Sequence, residues 1–385
     1  MSAARGELRG MRIRRVLSSL AVAAGLVAGA VPASSAPIVQ GPGPGYFASD
    51  NVEWLGVLPL NTDSAGAHLV GKTFYITSSN SLRIFDVSTP ETPVQTGILP
   101  LPQQPVFAEE DVDTNGRILL ISTLRSLYII DVEDKTNPTI VGELAGVDEH
   151  TYTCVLDCSF AYGSEGSIVD IRKPTAPKLV GDWAKGATIQ STHDVTEVKP
   201  GVVITSTQPM LMLDARKNPA KPKVIAQGSN PDNRFLHSNL WPRGGKERFL
   251  LVGGESGSGG CGEGEGAPFM TWDMSQVGKT KTFTMTDEYY VTDGLPTEGD
   301  MPVHSFCTHW FDPHPSYRNG GLLAMGWYEH GTRFLRVSKD GKISEDGYFL
   351  PTGGSTSADY WITDEIVYAV DYQRGIDILR YTDKP

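Results

Sequence analysis

The chain has 385 residues with 42 Gly and 26 Pro, 20% charged and 39% hydrophobic positions, a composition that excludes a disordered polymer and is rich in turn formers. Its length allows two or three domains, or one large all-β domain. The formal net charge of -12 excludes a nucleic-acid footprint, because binding phosphates needs a basic face.

Residues 1–36 read as a secretory signal peptide. Arg5, Arg9, Arg12, Arg14 and Arg15 precede an apolar run from Val16 to Val31, and the small residues Ala33, Ser34, Ser35 and Ala36 follow. The run is short for a membrane span and no longer apolar stretch follows, so no transmembrane segment is expected in the mature protein. Arg14-Arg15 admits twin-arginine export, but the motif is degenerate and Sec export is the reading preferred. Removal of this segment takes away 5 Arg and 1 Glu, leaving a net charge of -16. Residues 37–51 read as a linker.

From residue 52 onward the sequence repeats. SLRIFDVSTPETP, SLYIIDVEDKTNP, GSIVDIRKPTAP, PMLMLDARKNPAKP, PFMTWDMSQVGK, RFLRVSKDGK and GIDILRYTDKP each combine an alternating strand with a turn. Aligning Asp86, Asp131, Asp170, Asp214, Asp273, Arg336 and Arg380 gives spacings of 45, 39, 44, 59, 63 and 44 residues. An apolar strand precedes each phrase, from TFYITS to IVYAVDY, and a fourth strand such as TIVGELAG follows most of them. Four antiparallel strands per unit of roughly 40 to 45 residues make a propeller blade. In each unit the terminal Asp is placed to accept from turn amides, and the later Pro ends the ladder. The last unit ends after its third strand, and VEWLGVLPL, Val52–Leu60, resembles a fourth. The expected fold is therefore all-β: one seven-bladed β-propeller over residues 52–385, with the N-terminal strand closing the last blade. Two tandem sandwiches would leave that displaced strand unexplained.

The phrases SLYIIDVEDKTNP, GSIVDIRKPTAP and SLRIFDVSTPETP resemble LVIVD repeats, found in extracytoplasmic bacterial propellers. The resemblance spans about residues 52–385 and holds best in the first four units; Trp272-Asp273-Met274, Arg336 and Arg380 depart from it. It implies a secreted propeller and no particular activity.

Histidines recur at one repeat position. His150, His193, His237 and His309 each fall at the start of a predicted innermost strand, where blades converge at the mouth of the central channel. Imidazoles gathered there suit Zn, Cu or Fe; the alternative is that each bonds to neighbouring backbone around a wet channel. Glu110 occupies the same place in the second unit, and His304 is interchangeable with His309 in the alignment. Loops between second and third strands open on that face with Glu165, Glu255, Glu329 and His330, so these six acids and imidazoles are the candidate ligand-binding set. Glu263 and Glu265 read as solvating their loop. The glycines from Gly253 to Gly266 lack the strand-to-helix context of a phosphate loop. Trp241, Trp272, Trp310, Trp327 and Trp361 read mostly as packing between blades. His68 and His314 read as structural.

In an oxidising compartment four cysteines point to disulfides, with Cys154–Cys158 and Cys261–Cys307 the favoured pairs and metal ligation by Cys154 and Cys158 the weaker reading. No catalytic signature names a nucleophile. Three functions remain: a monomeric secreted propeller binding a small molecule, extracellular protein or metal at the histidine-bearing mouth; a metal-dependent (Cu, Fe or Zn) oxidase or hydrolase; and a cell-surface interaction scaffold with no metal. The second reading is motivated by a distant similarity to the histidine-bearing propellers of the selenium-binding protein and methanethiol oxidase family, whose motifs are not matched residue by residue.

Overall fold

The computed structural model describes residues 45–60, 64–78, 80–102, 112–123, 125–190, 192–228, 235–255, 267–291 and 307–383, all within one compact unit, Val31–Pro385. Glu110, His304 and Cys261 lie outside the described residues, as does the proposed signal segment.

The described chain is all-β apart from two single helical turns, Pro242–Gly245 and Val277–Thr280. Strands pair with their sequence neighbours in antiparallel groups of four. The first group is Ser64–Val70, Thr73–Ser78, Ser81–Asp86 and Val94–Pro100. The second runs from Asp113–Thr114 through Ile118–Thr123 and Ser126–Asp131 to Thr139–Ala145, and the third from Tyr152–Val155 through Phe160–Gly163 and Ser167–Asp170 to Lys178–Asp182. Thr192–Lys199, Val202–Thr207, Met210–Asp214 and Lys223–Gly228 form the fourth. It joins the fifth (Leu236–Leu240, Phe249–Gly254, Phe269–Asp273, Thr282–Tyr289) in one eight-stranded sheet, through a parallel contact of Gln227 and Gly228 with Thr282 and Phe283. Phe311–Pro313, Gly321–Gly326, Thr332–Val337 and Ile343–Pro351 make the sixth; Thr356–Trp361, Ile366–Asp371 and Gly375–Tyr381 belong to the seventh.

The fourth strand of the seventh group is Val52–Leu58, antiparallel to Gly375–Tyr381 from Val52↔Tyr381 to Leu58↔Ile376. Arg380 carries the pairing outward to Glu53 at 2.7 Å. Residues 37–51 are not linker throughout. Tyr46–Ala48 pairs with Ile343–Pro351 as a fifth strand of the sixth group, and the Tyr46 ring packs 5.3 Å from Phe349. Three residues are too short for an alternating pattern to be seen in sequence, and the aromatic anchor supplies the apolar contact that holds them.

The groups pack face to face. In Thr73–Ser78 the two-residue period sends Phe74 and Ile76 into a cluster with Tyr368, Val370 and Ile378 of the seventh group. Tyr75, pointing the other way, packs with Leu119, Ile121 and Tyr128 of the second. Second strands are therefore buried on both faces, whereas the outer strand Lys178–Asp182 is mostly exposed. Of the tryptophans, Trp241 and Trp272 are buried between the fourth and fifth groups, Trp327 in the cluster spanning the fifth and sixth, and Trp361 between the sixth and seventh.

The aligned acids behave alike. Asp86, Asp131, Asp170, Asp214 and Asp273 each accept the amide hydrogen of the residue two positions on, at 2.7 to 3.1 Å. Arg336 and Arg380, which replace them, face acids instead: Arg336 pairs with Asp346 and Asp383, and Arg380 with Glu53 and Glu91.

Candidate functional site

The inner strands are laced to one another at their first residues. The Thr151 hydroxyl donates to the His193 carbonyl at 3.3 Å, and the Ser238 hydroxyl to the His309 carbonyl at 3.0 Å. Such contacts fix the backbone of each histidine against the neighbouring strand. The side chains then fall in a row. Ring centroids of His150 and His193 are 4.5 Å apart, those of His193 and His237 3.9 Å, and those of His237 and His309 4.0 Å. The row passes from the third group to the sixth. His237 and His309 are fully buried, and His193 is 8% exposed. His193 and His237 are the second residues of their inner strands, and His150 and His309 precede theirs by two positions.

His309 has a defined tautomer. Its Nδ1 lies 2.6 Å from the Ser357 carbonyl oxygen, which can only accept, so Nδ1 carries the hydrogen and Nε2 presents the lone pair of the neutral ring. A backbone carbonyl behind one ring nitrogen is the arrangement that orients metal-binding imidazoles.

Glu255 reaches into the row from the end of Phe249–Gly254. Its Oε2 stands 3.7 Å from His193 Nε2, while Oε1 accepts a 3.0 Å hydrogen bond from the Tyr328 hydroxyl. Donor atoms of His193, His237 and Glu255 all lie within 4.8 Å of one another. Two ligands of one Zn²⁺, each about 2.1 Å from the ion, stand about 3.4 Å apart, so a modest inward rotation of these side chains would close them on a metal. Aromatic walls limit water: Phe235 packs 5.6 Å from His193, and Trp310 5.1 Å from His237.

The remaining expected residues divide. Glu165 stands beside the His150 end; partial desolvation of its carboxyl pushes its proton affinity up, with a smaller push from Asp148, and the neighbouring His150 draws it back. Glu329 and His330 share the turn that carries Tyr328, with His330 buried and its amide donating to the Trp327 carbonyl at 2.8 Å. Cys154 and Cys158 are bonded to each other, which removes them as thiolate ligands. Cys307 is also disulfide-bonded, and its expected partner Cys261 lies outside the described residues. His68 and His314 stand away from the row: His68 faces Asp113 at 3.7 Å, and His314 is held by Ser316 and the Asp364 carbonyl.

Tyr328, Tyr372 and Glu149 were not anticipated. The Tyr328 ring lies 4.7 Å from His309 and stacks on Tyr372 at 6.3 Å; its φ of 40° in a turn between strands turns the phenol toward Glu255. Its place beside Glu329 in the second loop of its unit was the available signal. Glu149 is buried beneath His150 and accepts from the Glu165 and Ser167 amides, the latter at 2.9 Å. Burial raises its carboxyl above the ordinary range.

No protein-family model matches the chain, and no curated protein matches it either. Solved structures do resemble it. The β-propeller domain of Cps50 (Swd1) from Myceliophthora thermophila is 12% identical with a TM-score of 0.58, the match covering 91% of this chain and 100% of that one. The N-terminal domain of Nup159 is 11% identical with a TM-score of 0.57, covering 90% and 98%. The WD40 β-propeller domain of Doa1 is 10% identical at 0.57, covering 86% and 97%. At such identities the likeness shows the fold, a β-propeller, and nothing of the activity.

Proposed function

We propose that this is an exported, monomeric, seven-bladed propeller of the LVIVD-repeat kind, whose channel mouth holds a transition metal and presents it to a small molecule or an extracellular protein partner. Seven blades are supported by the seven antiparallel groups and by their packing, in which the first touches both the second and the seventh. Export is supported by the Arg-rich, apolar, small-residue N-terminus and by the disulfides.

The gathering of His193, His237 and Glu255 donor atoms within 4.8 Å carries the metal reading. Two imidazoles and a carboxylate suit Zn, Cu or Fe better than a hard, oxygen-seeking cation. His309 and His150 extend the set on either side. Elemental analysis of the exported protein is the test. About one metal ion per chain is expected in the wild type, with at least tenfold lower occupancy in His237→Ala and His193→Ala and a smaller loss in His150→Ala. A metal-free wild type leaves the scaffold reading.

A metal-dependent oxidase or hydrolase is the second reading, favoured by the Tyr328 phenol on Glu255. A metal there would supply Lewis acidity or redox capacity, and Glu255 and Tyr328 would hold or pass a proton beside it. Retained metal without turnover of thiols, phenols or esters assigns the site to binding; turnover abolished by Tyr328→Phe with metal retained assigns it to catalysis.

A further inference from the structure

The outer strand of the third group, Lys178–Asp182, is exposed at every residue but Gly181, and among the described residues no further strand pairs with its outer edge. Two of its exposed residues are apolar: Leu179 is 56% and Val180 39% open to solvent. Val224, on the outer strand of the fourth group, is 54% open. Among the described residues the other exposed large apolar side chains are Tyr46 and Phe47, so the outer strands of these two neighbouring groups hold three of five. An open apolar edge is a template for another chain.

The surroundings are basic in an acidic protein. Residues 170–228 hold 9 Lys and Arg against 5 Asp and Glu, a net charge of +4 within a chain of -12. The acids are turned inward or already engaged. Arg172 and Arg216 pair with Asp170 and Asp214, and Asp182 accepts the Ala184 and Lys185 amides at 2.9 and 3.0 Å. Asp194 is buried, and Glu197 accepts the Leu156 and Gly201 amides. Lys173, Lys178, Lys185, Lys217, Lys221 and Lys223 are all exposed and set the sign of this rim. A groove of about 720 Å³ opens beside the strand, lined by Leu179, Trp183 and Pro222 and by Lys185 and Lys221, with Asp182 its one carboxylate. Its far side is the turn of the fourth group, whose Ala220 carbonyl oxygen packs where a side-chain carbon on Gly181 would stand.

We propose that this edge is a docking site for an extended acidic segment of a partner protein, which adds to the third group as a fifth strand, puts a bulky apolar side chain against Leu179 in the groove and sets its carboxylates on Lys178, Lys185 and Lys221. Strand addition of this kind draws affinity from main-chain hydrogen bonds and specificity from pockets for alternate side chains. The fold already accepts one such strand. Tyr46–Ala48 lies on the outer strand Ile343–Pro351 of the sixth group and seats its Tyr46 ring 5.3 Å from Phe349. Lysines on the third group's edge oppose pairing of two copies through it, because like charges would meet, and attract an acidic strand. An anionic bilayer is a poorer match, since a flat surface cannot enter the groove that Leu179 lines. This surface lies on outer strands, apart from the histidine row, and does not rest on the metal reading.

Fluorescence anisotropy of a labelled acetyl-DEVFVED-amide peptide, titrated with the full-length exported protein, tests the proposal at about 0.15 M salt, where charges more than about 8 Å apart are screened. One peptide per chain is expected to bind saturably, at least tenfold tighter than KKVFVKK, which lacks the acids, or DESGSED, which lacks the apolar residues. N-methylating one of the two alternate sets of its amides should weaken it at least tenfold, a loss that attraction between charges alone would not produce. Leu179→Ser should weaken it at least fivefold and Lys185→Glu with Lys221→Glu at least tenfold, whereas Lys339→Glu, at an exposed lysine of the sixth group, should leave it within twofold. These side chains are exposed, and an unchanged cooperative melt verifies each variant; if Leu179→Ser melts early, the lysine pair carries the test. Absence of saturable peptide binding, equal binding of DESGSED, indifference to N-methylation of both sets, undiminished binding in the folded variants, or binding to phosphatidylglycerol vesicles in place of the peptide would overturn the proposal.

Discussion

Asp312 sits at the end of the innermost strand of its group with one oxygen accepting the Trp361 amide at 2.9 Å. Burial pushes its carboxyl up to about 7, against that hydrogen bond, which pulls it down. A carboxyl whose folded pKa lies above its unfolded value binds more protons in the native state between the two. Stability is therefore full below about pH 4 and falls as the pH rises to about 7. Asp312→Asn removes the titration, so its melting temperature relative to wild type should climb across that interval and level off above it, by the equivalent of roughly 2–4 kcal/mol at most. A difference flat from pH 4 to pH 8 would contradict this. Surface acids act oppositely: hydrogen bonding from Arg216 holds the Asp214 carboxyl down to about 2, so its contribution is present above about pH 4 and is lost below it. At this scale the sequence was legible where one residue type recurs at one repeat position, as with the four histidines. Tyr328 and Glu149 were not legible, because each acts through a turn peculiar to its own unit. Their neighbours in the other units gave no pattern to align.

The fourth strands explain how the groups seat against one another. A side-chain carbon on Gly97 would stand 2.2 Å from the Lys135 carbonyl oxygen, on Gly142 2.0 Å from that of Pro174, and on Gly181 2.1 Å from that of Ala220. In each case the glycine lies beside a bulge in an outer strand, and the oxygen belongs to the Pro-containing turn of the next group. The turn phrases picked out from the sequence thus dock onto the preceding sheet, a contact that the strand alternation alone does not reveal. Gly142→Ala should force the turn outward and cost about 1–3 kcal/mol, measured as a lower urea midpoint at unchanged slope. An exposed glycine such as Gly186, which has open space around it but a φ of 81°, should lose about 1 kcal/mol from backbone strain alone. Because Gly142 has no positive φ, a Gly142→Ala chain as stable as wild type would mean that docking contributes nothing.

For the whole molecule, the repeat spacing makes the strand groups and the Val52–Leu58 pairing legible in the sequence, because a period of roughly 40 to 45 residues and an unpaired last strand constrain the topology. The packing of Phe74 and Tyr75 into different neighbours follows from strand alternation, yet which neighbours these are depends on the ring. A chain shortened to begin at residue 60 would expose the edge of Gly375–Tyr381 and leave Ile376, Ile378 and Leu379 without the strand that pairs with theirs. It should aggregate or melt well below the full chain, as read by light scattering and calorimetry. Adding a peptide of residues 45–60 in trans should recover part of the loss.

That same pairing sets the timing of folding. Glu53 and Arg380 are joined across 327 positions of sequence, so the sheet that contains both cannot be completed until the strands of the other six groups have been synthesised. Loop-closure entropy makes so distant a pairing slow. Until it forms, the nascent chain carries an open seam along Gly375–Tyr381. Interrupted synthesis would yield a product that cannot latch and is left to proteases. Closure therefore serves as a record that synthesis has passed Arg380.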